Sequence, residues 1–172
     1  MNNRSILFTF VISVIFLSAC SKIENLDDWR EENTKAYQEI TKNPEYRALQ
    51  TKTGPAGVYF KVLNNGTGKE NPILTSKVKV LYKGTYYNGV VFDYGSSGNN
   101  IPIEMSTQST VRGFSFALQN MVVGDKWEIW IPYYLGYGVE GLYDGYSYQP
   151  TIKGYTTLVF EIELVSITQH PY

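Results

Sequence analysis

The side chains most used for covalent and acid–base chemistry are scarce in this chain of 172 residues, which has one cysteine, Cys20, and one histidine, His170. A hydrolytic nucleophile needs a base within hydrogen-bond reach, and His170 stands beyond the last patterned segment, so no triad is expected. No set of His, Cys, Asp and Glu has metal-ligand spacing, and "GTGKEN" around Gly66 fits neither phosphate-loop pattern, so neither metal nor cofactor is implied. Glu161 and Glu163 share one face of an alternating segment, opposite Phe160 and Ile162, which reads as a solvated face rather than an acid–base pair. What the chain does carry is rings: 15 tyrosines, 8 phenylalanines and 3 tryptophans. The stretch "KVLYKGTYYNGVVFDYG", residues 79–95, combines four of the tyrosines with Phe92 and Asp93. Tyrosine offers apolar area with a polar tip, and its chemistry is that of non-covalent contact.

The elements that must position these rings follow from their surroundings. Asn88-Gly89 is a strong two-residue turn signal, predicting a hairpin that pairs Tyr86 with Val91 and Gly84 with Asp93. Simple alternation then puts Tyr82, Tyr86 and Asp93 on one face and Phe92 on the other, and bringing Phe92 and Asp93 together requires the strand to bend or end there, as the following "YGSSGNN" makes plausible. Period-two patterns recur at Val58, Phe60 and Val62, at Val78, Val80 and Tyr82, at Ile101, Ile103 and Met105, at Trp127, Ile129 and Ile131, and at Leu158, Phe160, Ile162 and Leu164. One segment breaks the rhythm: Phe114, Ala117, Leu118 and Met121 fall at i, i+3, i+4 and i+7, the face of a short helix. Antiparallel strands with one amphipathic helix define an α+β domain, expected over residues 51–169, whose sheet buries its apolar face on that helix. Upstream, Trp29, Ala36, Tyr37 and Ile40 recur near one side of a helix that Asp27 and Asp28 suit at its start and Pro44 ends. That stripe is narrow, and the expectation for residues 20–50 is a helical spacer or a loosely docked helix.

The first residues read as an export signal. Arg4 precedes the apolar run "SILFTFVISVIFLSA", which is short for a membrane span and ends in small residues, so residues 1–19 are expected to be cleaved. The run closes on "LSAC", which resembles the bacterial lipobox and implies lipidation of Cys20 and a membrane-anchored lipoprotein of the bacterial cell envelope. A formal net charge of −1 with no cluster of Lys and Arg leaves no electrostatic footprint for nucleic acid.

Four segments in order are similar to the FKBP-type peptidyl-prolyl cis-trans isomerases. They are "VLYKG" followed seven residues later by "FD", "VRGF" opening a short helix before "VGD", "IPYYLGYG", and "TTLVFEIEL". The resemblance covers about residues 57–167 and implies an antiparallel sheet of five or six strands wrapped around the short helix, with an apolar pocket between them. It implies catalytic roles for Tyr82, Asp93, Tyr137 and Phe160, and substrate-binding roles for Phe92, Ile101, Thr110, Val111, Phe114 and Ile152; Ile103 matches a position that is often aromatic. In this reading the Tyr137 hydroxyl and the Ile152 backbone N–H donate to substrate, Phe160 and Phe92 hold the proline ring, and Asp93 orients Tyr82. The partners implied are proline-containing polypeptides and the membrane. Phe114 stands where the family often has tryptophan, "MSTQST" lacks a familiar Leu-Gly, and "IKGY" replaces a proline-containing loop. The alternative is an FKBP-like module that holds extended polypeptide without turnover. A carbohydrate platform on Tyr143, Tyr146, Tyr148 and Tyr155 ranks below both, since only Asp144 and Gln149 stand nearby to bind hydroxyls.

Overall fold

The computed structural model describes residues 25–51, 54–95, 100–145 and 151–169; Cys20, the leader before it, Tyr146, Tyr148, Gln149 and His170 lie outside the described residues. The elements run α1 (Leu26–Lys42), β1 (Arg47–Thr51), β2 (Gly54–Asn64), β3 (Lys77–Tyr86), β4 (Val91–Tyr94), β5 (Ile103–Ser106), α2 (Arg112–Leu118), β6 (Lys126–Ile131) and β7 (Leu158–Gln169). All strand pairings are antiparallel, in the order β1-β2-β6-β7-β3-β4. Strand β5 pairs with the start of β3, on the edge that β4 borders further along, so seven strands occupy six positions. This is the α+β FKBP fold.

The alternating residues on β2, β3, β6 and β7 bury one face of the sheet on α2. Phe114, Ala117, Leu118 and Met121, the four positions of the helical pattern, are all buried there with Ile129, Ile131, Leu158 and Ile162. Gly113 permits the close approach of α2 to β6: a Cβ at that position would lie 2.4 Å from Ile131 Cγ2.

Two features go beyond the expectation. Strand β1 extends the sheet to residues 47–51, upstream of the boundary expected at residue 51, because Ala48 pairs with Tyr59 and Leu49 is buried in the core. Helix α1, capped by the Asn25 side chain, is docked, the second of the two alternatives expected for residues 20–50, and more closely than its narrow stripe implied. It lies on the back of the sheet, where Tyr37 meets Tyr59 at 5.9 Å and Ala36 and Ile40 share a groove with Trp130. Trp29, 5% exposed, sits edge-on to Tyr86 at the hairpin tip. Burial of an indole of that size contributes roughly 4 to 6 kcal/mol of transfer free energy, as an upper bound. The narrow apolar stripe suffices because Asn33, fully buried, adds hydrogen bonds to Thr157 that a helical hydrophobicity pattern does not reveal.

The hairpin is also resolved differently. Gly89 N–H donates to the Tyr86 carbonyl and Tyr86 N–H to the Val90 carbonyl, both at 2.9 Å, with Gly89 at φ 84°. The loop is therefore three residues long, and Tyr86 stands opposite Val90 rather than Val91. A bulge at Phe92 then absorbs one residue: Thr85 pairs with Val91, yet Gly84 pairs with Asp93 as expected. The bulge cancels the alternation at this point, so that Phe92 and Asp93 both reach the helix side of the sheet, one against Phe160 and the other against Tyr82.

Candidate active site

Between α2 and the sheet opens a cavity of about 360 Å³, lined by Tyr82, Asp93, Met105, Ser109, Thr110, Val111, Phe114, Tyr137 and Phe160. Its floor is a set of edge-to-face rings. Phe160, on the central strand β7, meets Phe114 of α2 at 5.1 Å and 90°, and Tyr82 of β3 meets Phe160 at 5.9 Å and Phe114 at 5.6 Å. Each such pair adds about 0.5 to 1.5 kcal/mol beyond burial, which fixes the rings against one another. Phe92 supports the set from outside the lining, with its ring 5.5 Å from Phe160. Both fit where they do because residue 84, opposite Phe160, is glycine.

Two polar devices sit on this apolar ground. The Tyr82 hydroxyl donates to Asp93 Oδ2 at 2.7 Å. Burial first, and then the hydrogen bond to Asp93, push the Tyr82 phenol well above its ordinary range, so it remains a donor. Tyr137 follows the short turn Tyr133–Leu135, closed by Gly138 N–H donating to the Tyr133 carbonyl at 2.8 Å. Its hydroxyl is raised too, by burial and then by the negative charge of Asp93, and among the described residues it has no hydrogen-bond partner. Across the cavity, the Val111 carbonyl accepts from Ser115 N–H at 3.0 Å, while the Val111 N–H is paired with no acceptor among the described residues. The site thus offers two hydrogen-bond donors over an aromatic floor. Among the described residues no group of three or more His, Cys, Asp or Glu is placed to hold a metal ion.

Of the residues singled out from the sequence, Tyr82, Asp93, Thr110, Val111, Phe114, Tyr137 and Phe160 come together around this cavity. Phe92 stands behind it. Ile101 does not join them: it is 58% exposed because β5 begins only at Ile103, and no ladder turns its side chain inward. Ile152 is 3% exposed, and its N–H donates to the Leu142 carbonyl at 3.2 Å, so it is not the free donor expected; the unpaired N–H belongs to Val111. Met105 and Ser109 line the site without having been singled out for it. Met105 was legible as the third apolar position of the "IPIEM" alternation, whereas Ser109, in the turn Thr107–Ser109, carries no signal of its own. Glu161 lies with Lys126, 2.7 Å away, on the back of the sheet, outside the cavity.

Comparison with known proteins agrees with this geometry. Residues 68–165 match the profile of the FKBP-type peptidyl-prolyl cis-trans isomerases. The chain is 40% identical over 112 residues to the FKBP-type 22 kDa peptidyl-prolyl cis-trans isomerase of Escherichia coli, covering 65% of this chain and 50% of that protein. It is 32% identical over 142 residues to the outer membrane protein MIP of Legionella longbeachae, covering 80% of this chain and 58% of that protein. The chain thus spans between half and three fifths of the length of these two relatives. A crystal structure of a peptidyl-prolyl cis-trans isomerase from Pseudomonas syringae superposes with a TM-score of 0.69 at 30% identity, covering 84% of this chain and 97% of that one. The chain belongs to the FKBP-type peptidyl-prolyl cis-trans isomerases.

Proposed function

We propose that the protein accelerates rotation about X–Pro bonds of exported polypeptides in the bacterial cell envelope, using the cavity between Tyr137 and Val111. The bond turns slowly because amide resonance is lost on the way, a barrier of roughly 18 to 20 kcal/mol. The planar amide is more dipolar than the twisted one, so the floor of Phe160, Phe114 and Tyr82 disfavours the ground state relative to the transition state. The Tyr137 hydroxyl and the Val111 N–H donate to substrate carbonyls, and Asp93 fixes the Tyr82 ring through its hydroxyl. A thousandfold acceleration requires only about 4 kcal/mol, within reach of desolvation and two hydrogen bonds without nucleophile, base or cofactor.

The observation that carries this reading is the Tyr137 hydroxyl, unpartnered among the described residues, in an aromatic cavity beside the Tyr82–Asp93 pair. Removing that hydroxyl with Tyr137→Phe should lower kcat/KM on an apolar-X-Pro peptide by about tenfold, the worth of one hydrogen bond of roughly 1.4 kcal/mol. Phe160→Ala, which opens the floor, should lower it further. A folded Tyr137→Phe variant with unchanged kcat/KM would remove Tyr137 from the mechanism. Peptide binding without any acceleration would instead favour the holding module. The envelope placement rests on the leader, on Cys20 in its lipobox-like setting, and on the likeness to a relative named as an outer membrane protein.

A further inference from the structure

Helix α1 is connected to Tyr137 by a continuous run of contacts through residues 153–157. The Asn33 Oδ1 accepts from the Thr157 N–H at 2.8 Å, the Asn33 carbonyl accepts from Thr157 Oγ1 at 3.2 Å, and Asn33 Nδ2 donates to the Trp29 carbonyl at 2.8 Å. Trp29 Nε1 donates to Thr156 Oγ1 at 3.1 Å, and Thr156 Oγ1 in turn donates to the Lys153 carbonyl at 2.6 Å. The Arg30 guanidinium lies 4.8 Å over the Tyr155 ring. Tyr155 itself has φ 60°, a left-handed conformation that a non-glycine residue keeps only when its surroundings fix it.

The same segment grips the chain next to Tyr137. Tyr155 N–H donates to the Gly138 carbonyl at 3.0 Å, and Leu142 and Ile152 exchange two backbone hydrogen bonds at 2.8 and 3.2 Å. Gly154 lies so near Val139 that a Cβ there would come within 1.8 Å of its carbonyl oxygen. The Tyr137 ring packs against the core, but no hydrogen bond fixes its hydroxyl among the described residues. Where the hydroxyl points therefore depends, beside that packing, on the backbone that residues 153–157 hold.

Resting on the isomerase reading of the cavity, we infer that Asn33, with Trp29, is a positioning residue for catalysis: α1 sets the placement of the Tyr137 hydroxyl through residues 153–157. The helix is then part of the catalytic unit rather than a spacer from the membrane. A merely stabilising helix would need only apolar contact. This one places a fully buried amide on the backbone of the segment that holds Tyr137, where truncation leaves the Thr157 N–H without its acceptor.

The test uses the full mature chain and Asn33→Ala, with Trp29→Phe as a milder variant that keeps a ring but loses the bond to Thr156. Asn33→Ala should lower kcat/KM by about fivefold, within the range of losses from small misplacement of a catalytic group. In a Tyr137→Phe background it should cost nothing further, because the group it positions is gone. Leu164→Ala, a core truncation away from the cavity, should lower stability while leaving kcat/KM unchanged. Amide hydrogen exchange of Tyr155 and Leu142 should quicken in Asn33→Ala while that of Ile129 does not. Losses that multiply independently in the double variant, or unchanged kcat/KM in both folded single variants, would overturn the inference. If the parent protein shows no turnover, the isomerase reading fails, and unchanged exchange at Tyr155 and Leu142 would overturn the coupling separately.

Discussion

Gly84→Ala puts one methyl group at the junction on which the aromatic floor depends. A Cβ at residue 84 would lie 2.7 Å from Phe92 Cζ and 2.9 Å from Phe160 Cε1, both well inside van der Waals contact. The rings have little room, because Phe160 is held by Phe114 and Tyr82, and Phe92 lies against Tyr86 at 5.1 Å. Overpacking of this kind costs about 1 to 3 kcal/mol. Replacing a strand glycine returns about 0.5 to 1 kcal/mol of backbone entropy, leaving a net loss within about 0 to 2.5 kcal/mol and centred on about 1.3 kcal/mol. For a domain of this size that lowers Tm by roughly 3 to 8 °C. The displaced rings also spoil the floor, so kcat/KM should fall by about tenfold even where the variant is fully folded. Thermal unfolding by circular dichroism and isomerisation of an X-Pro peptide measure the two effects on one sample. A variant with the parent Tm and full activity would refute the claim that Phe92 and Phe160 are packed against residue 84 to form the site.

Other outcomes follow from the same geometry. Tyr37, Tyr46, Tyr82, Tyr86 and Tyr137 all have phenols raised above 10.0, with burial the first cause in each. The folded state therefore keeps protons that the unfolded chain gives up near that value, so stability is full below about pH 10 and falls as pH rises above it. Absorbance of tyrosinate should rise for these groups together with unfolding, and their ionisation near pH 10 in a folded protein would contradict the burial described. The proposed anchor predicts that Cys20→Ser accumulates as unprocessed precursor without incorporated lipid, and normal processing of that variant would sink the lipoprotein reading.

The sheet was legible because its core face alternates cleanly: Val78, Val80, Ile129, Leu158, Phe160, Ile162 and Leu164 all follow period two and all are buried. The short helix was legible for the same reason at its own period. What escaped was set by single backbone events or by polar burial. One extra residue in the hairpin loop and one bulge at Phe92 cancel each other, so the pairing of Gly84 with Asp93 was foreseen while the phase between them was not. Alternation alone set Phe92 apart from Asp93, and the bulge reunites them. Docking of α1 was understated because Asn33 buries an amide rather than a hydrocarbon, and no periodicity distinguishes it from a solvated side chain. The proposed donor role falls to Val111 rather than Ile152 because an unpaired N–H is a property of chain path, decided here by the pairing of Ile152 with Leu142.

The central claim is that this cavity turns X–Pro bonds, and exchange spectroscopy by NMR on a short apolar-X-Pro peptide tests it most directly. Alone, the peptide interconverts over tens to hundreds of seconds and gives no cis–trans cross-peaks on a sub-second mixing time. With catalytic amounts of the protein, cross-peaks should appear within that time and weaken on Tyr137→Phe. Well-folded protein that leaves the cis and trans signals unexchanged at any concentration would contradict the account.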